Sequence, residues 1–132
     1  MTVQILGQEP ADVWRDATCA LQQADADDLV IFHQRRDRTP VDVQVEIHPE
    51  CTPTAAVHPD GRWGEPRRSY PPSWPDGTVA ALPERTWLVW WDLALTEGLR
   101  TEVHAELEAA GITLADEQLF GNDILIEQWT RD

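Results

Sequence analysis

TWLVWWDLAL, residues 86–95, decides how the rest of the chain is read. A strand wetted on one side carries a polar residue at every second position, and here only Thr86 and Asp92 are polar. The stretch therefore reads as a central strand covered on both faces. One face holds Trp87, Val89, Trp91, Leu93 and Leu95; the other holds Leu88, Trp90, Asp92 and Ala94.

Downstream, Leu95, Leu99, Val103, Leu107 and Ala110 recur at helical spacing, and Gly111 follows as a C-cap. Ile124–Trp129 closes the chain as a strand. Upstream, Thr2–Leu6 alternates weakly and reads as a strand. Pro10 then opens a helix whose buried stripe is Val13, Trp14, Ala17, Ala20, Leu21 and Ala24. Leu29–Gln34 and Val41–His48 read as a hairpin. In the second of these, Val41, Val43, Val45 and Ile47 alternate with Asp42, Gln44, Glu46 and His48. Pairing positions that sum to 75 sets Phe32 against Val43 and His33 against Asp42, and makes one face wholly apolar.

Residues 49–85 differ in kind. They carry eight of the ten prolines, with Trp63, Tyr70 and Trp74 among them. A small hairpin around Pro59-Asp60-Gly61 is expected here, followed by a loop with no periodicity. The expected fold is a single α+β domain over 1–132: one mixed β-sheet with two helices on one face, in a ferredoxin-like plan, with 49–85 as an inserted hairpin and loop.

Composition narrows the function. The 132 residues carry ten Arg, no Lys and 24 acids, a net charge of −14. Residues 1–34 hold six acids and one Arg, 35–91 eight and seven, and 92–132 ten and two, so the ends are acidic and the middle nearly neutral. Phosphates repel such a surface, which argues against nucleic acid and anionic lipid. No apolar run approaches the roughly 18 residues that span a bilayer, and no secretory signal is evident. Cys19 falls on the polar side of its helix, and an exposed thiol suits the cytoplasm.

No phosphate loop, nucleophile elbow or paired metal motif stands in the chain, and no cofactor is expected. His48, Cys51 and His58 are weak metal ligands at a spacing that matches no standard site. His33 beside Asp42, with Glu46 nearby, forms the best acid–base constellation.

The seven tryptophans carry more information. A sheet with helices on one face leaves the other open, and that face collects Trp90, Asp92, Trp129, Glu127, Gln44 and Glu46, with Trp63 and Trp74 on the loop above. Aromatics among acids and amides suit a binding surface. Two functions follow. The first is a small acidic, non-catalytic inhibitor or immunity-type module that neutralises a basic protein such as a toxin nuclease. The second is a small-molecule binder or minor enzyme with a pocket between the sheet face and loop 62–83. A homodimer through the sheet face is a further alternative.

Overall fold

Leu29–Phe32 (β1) lies at the heart of the sheet because its side chains alternate between two apolar layers. A computed structural model describes residues 10–33, 35–58, 61–63 and 79–131 of the chain. The expected strand at Thr2–Leu6 lies outside them, as do Trp74 and most of the loop.

The chain enters through a helix, Pro10–Ala20 (α1), continued by a 3-10 turn at Leu21–Gln23. After β1 comes Arg35–Ile47 (α2), then Ala56–His58 (β2) and Gly61–Arg62 (β3). Arg85–Trp91 (β4), Leu93–Ala109 (α3), Ile112–Phe120 (β5) and Ile124–Arg131 (β6) complete the order. The strands form one six-stranded mixed sheet in the order β3-β2-β1-β4-β6-β5. β1 is parallel to both β2 and β4; the remaining pairs are antiparallel. The fold is α+β on a single mixed sheet, as the sequence indicates, and β4 and β6 sit in its interior as their apolar runs require.

Three local expectations change. Val41–His48 is helix rather than strand. Its buried positions are Asp37, Arg38, Val41 and Gln44, at helical spacing, while Val43 and Ile47 are exposed. The alternating valines suggested a strand because polar groups occupy much of the helix's inner face. Asp42 therefore does not pair with His33; it accepts a hydrogen bond from Arg38 Nε at 3.1 Å, one turn away. With that strand gone, β1 pairs in parallel with β2 and β4, and the ferredoxin-like order gives way to the order above. The small hairpin survives as β2 and β3.

The second change is at Trp91. The strand ends there, and Asp92 turns the chain through φ 56°, ψ 59° into α3. The third is β5, a nine-residue strand where the sequence pattern offered none. Gly111 sits just past α3 at φ 80°, a left-handed conformation that glycine adopts at low cost, and its N–H reaches Glu108 O at 3.0 Å.

The helices also lie on both faces, not one. α1 and α2 cover the first: Trp14, Ala17, Leu21 and Val41 pack on Val30, Phe32, Val57, Trp87, Val89, Ile124 and Ile126. α3 covers the second: Val103 and Leu107 pack on Ile31, Leu88, Trp90, Ile112, Leu125 and Trp129, with Leu82. The inner stripe of α3 is Thr96, Val103 and Leu107; Leu95, expected inside, is 84% exposed.

Two side-chain devices pin the layers. Asp28, nearly buried, accepts from Trp87 Nε1 at 2.9 Å and Arg85 Nε at 2.7 Å, tying the start of β1 to the start of β4. Cys19 and Cys51 are joined as a disulfide with Cα atoms 4.6 Å apart, so α1 is stapled to the 3-10 turn Pro49–Cys51 after α2. Neither thiol is free, which corrects the exposed thiol expected at Cys19.

Candidate binding site

The face expected to stand open is the one α3 covers. Trp90, Glu127 and Trp129 do share that side of the sheet, as their alternation requires, but all three are buried. Glu127 is fully enclosed. Its Oε1 accepts from Trp90 Nε1 at 2.7 Å and Trp129 Nε1 at 3.3 Å. Its Oε2 lies 2.7 Å from His104 Nε2 of α3 without the alignment of a hydrogen bond. The His104 ring also rests against Trp129 with centroids 4.9 Å apart. A buried carboxylate is tolerable only with partners of this kind. The cluster holds α3 to the sheet and buries all three side chains beneath that helix.

The other expected residues scatter. Gln44 is buried on α2 and Glu46 is exposed on the same helix. Trp63, half-buried, packs edge-on against Phe32 and beneath the Arg38 guanidinium, on the α1–α2 side. The weak metal ligands do not converge. Cys51 is bonded to Cys19, His48 Nδ1 sits 3.5 Å from Glu50, and His58 lies on β2. Among the described residues no three ligating groups come together.

Two arrangements remain that could meet a partner. One lies at the carboxyl ends of β1 and β4. These strands are parallel neighbours, yet the helix after β1 goes to one face and the helix after β4 to the other. A crevice at such a reversal is where open sheets tend to bind ligands. His33 is half-buried there with its ring 5.2 Å from Trp90, and Arg36 pairs with Asp92 while lying over the Trp91 ring. Burial, and then the Arg36 charge, hold His33 below the ordinary histidine value.

The other is the outer surface of α3 together with β5. Between residues 93 and 123 the chain carries seven acids and a single Arg. Glu97, Glu102, Glu106 and Glu108 are exposed on α3, as are Asp116 and Glu117 on β5. Arg100, the one cation, turns back to Leu93 O and Thr96 Oγ1 and does not neutralise them. Exposed Leu95, Leu114 and Leu119 are interspersed. Sequence reasoning recorded the acidic C-terminal part but missed this surface, because β5 was not recognised and the helix stripe was rotated. The polarity of Glu97, Glu102 and Glu106 along the helix was the available signal.

Comparisons with family models, with curated proteins and with solved structures find no match to this chain. No helix among the described residues is long and apolar enough to cross a membrane.

Proposed function

We propose that this chain is a small acidic, non-catalytic binding module, of inhibitor or immunity type, that takes a basic protein partner on the surface of α3 and β5. One observation carries the reading: five exposed carboxylates, Glu97, Glu102, Glu106 and Glu108 of α3 and Glu117 on the α3 side of β5, with exposed leucines on the same two elements and no exposed cation among residues 93–123. Clustered like charge without local neutralisation raises the potential over that surface and speeds encounter with an opposite charge. The interspersed leucines supply the apolar contact that a stable interface needs at its centre. A basic enzyme such as a toxin nuclease fits both features. A second copy does not, since two such surfaces repel.

The disulfide alters the expected compartment. A cytoplasmic location rested on an exposed thiol, and with both sulfurs bonded we place the working form where disulfides persist.

The test is co-purification of a partner at low and high salt, its identification, and remeasurement of affinity with the pure partner. Glu102→Gln/Glu106→Gln should weaken binding and flatten its salt dependence, because both carboxylates are exposed and make no hydrogen bond or ion pair among the described residues. A partner that binds equally at both salts, with no response to the double variant, overturns the reading.

A second reading has its own observation: the meeting of His33, Arg36 and Asp92 at the strand reversal favours a small ligand there. It predicts ligand-induced quenching of Trp90 and Trp91 fluorescence that is lost in Arg36→Ala.

A further inference from the structure

We infer that the basic partner docks by strand addition, laying an extended segment with two adjacent basic residues along the outer edge of β5. The inference deepens the binding-module reading and rests on it. β5 is the last strand of the sheet and pairs only with β6 among the described residues. A strand directs alternate N–H and C=O groups to its two sides, so one set on β5 points away from the sheet. Such an edge is ordinarily blunted with Pro, Lys or a very short strand. ITLADEQLF has neither Pro nor Lys and is nine residues long; its blunting devices are a bulge and the charges of Asp116 and Glu117, which turn away like-charged strands only.

The register narrows the usable stretch. A bulge falls between Leu114 and Asp116, which breaks the ladder and leaves Asp116–Phe120 as a regular run of five residues. That is about the length of an ordinary strand. Within it, Glu117 and Leu119 lie opposite Glu127 and Leu125, hence on the α3 side; Asp116 and Gln118 face the other way. Leu119 is 58% exposed.

Charge selects the occupant. If a second copy added to this edge antiparallel with Asp116 at the centre, the Asp116 carboxylates of the two chains would face one another at about 5 Å and the Glu117 carboxylates would be diagonal neighbours, a destabilising arrangement. The same two carboxylates attract a partner strand bearing one basic residue above the sheet and one below. Two consecutive basic residues do that, because neighbours in a strand point to opposite faces. An apolar residue beside them covers Leu119.

The probe is an acetylated ten-residue peptide of alternating valine and threonine with an arginine pair at its centre. One control has every central amide N-methylated; another replaces the pair with two glutamates. Binding is followed by amide chemical shifts and hydrogen exchange on the full chain. The arginine peptide should shift and protect amides within 116–120. N-methylation should weaken it more than about tenfold, since each main-chain hydrogen bond contributes ~1 kcal/mol. Asp116→Asn/Glu117→Gln should weaken it by roughly threefold to tenfold, and the glutamate peptide should not bind. Equal binding by the N-methylated peptide, or shifts confined to α3, overturns strand addition. If an identified basic partner binds in a manner lost with Glu102→Gln/Glu106→Gln while the arginine peptide leaves β5 unshifted, strand addition fails and the binding-module reading stands. A partner insensitive to both double variants removes both.

Discussion

Breaking the bond between Cys19 and Cys51 should cost this fold several kcal/mol. The two cysteines are 32 residues apart, and the segment between them contains β1 and α2. In the chain-entropy account a cross-link of that span removes about 12 cal/mol/K from the unfolded ensemble, or about 4 kcal/mol at 25 °C. For a domain of 132 residues, that loss lowers Tm by roughly 13 °C. The comparison uses one protein oxidised and then reduced, so that no cavity is cut at Cys51, which is buried. Urea unfolding of the two forms should show a lower midpoint and a steeper m-value after reduction, because the reduced unfolded chain expands. The bond lies on the α1–α2 side, away from α3, so affinity for a basic partner should change little while the protein remains folded. Equal midpoints for the two forms would refute the reasoning. So would two titratable thiols in denatured, unreduced protein, and the argument for an oxidising compartment would fall with it.

Three further outcomes follow from the same contacts. Glu127→Ala should destabilise by about 3–5 kcal/mol, measured by urea unfolding, since it strands two buried indole N–H groups and vacates the carboxylate beneath His104; a loss under about 1 kcal/mol contradicts the network. Asp28→Ala should cost about 2–4 kcal/mol by the same assay, because it leaves Trp87 Nε1 without its acceptor and breaks the pair with Arg85; unchanged stability would mean that the two strand starts are not tied there. His33 binds its proton less readily folded than unfolded, so the unfolded state takes up more protons and stability falls as pH drops below the ordinary value of 6.5. His33→Asn should flatten that part of the pH–stability curve, and an NMR titration placing His33 at or above 6.5 would contradict the burial argument.

Periodicity located the elements whose inner faces are apolar. β4 and β6 were legible because both their faces are buried, and α1 with the 3-10 turn that follows because Trp14, Ala17, Leu21 and Ala24 are buried along them. It failed where polar groups are internal. α2 buries Asp37, Arg38 and Gln44 and exposes Val43 and Ile47, so its hydrophobic pattern points to the wrong period. β5 has one buried residue, Ile112, in nine, and an edge strand of that kind leaves almost no hydrophobic trace.

The sequence by itself determined the class of fold, the shared side of Trp90, Glu127 and Trp129, and the acidic character of the C-terminal third, since alternation and charge are local properties of the chain. Tertiary structure alone decided that α3 closes over that side, that Cys19 meets Cys51, and that the outer acids of α3 stand on the same side as Glu117 and Leu119 of a strand that pairs only with β6 among the described residues. Each of these depends on which way the chain leaves a strand and on contacts between residues far apart in the chain. A crossover to either face satisfies the same local pattern, and only the packing of whole layers chooses between them.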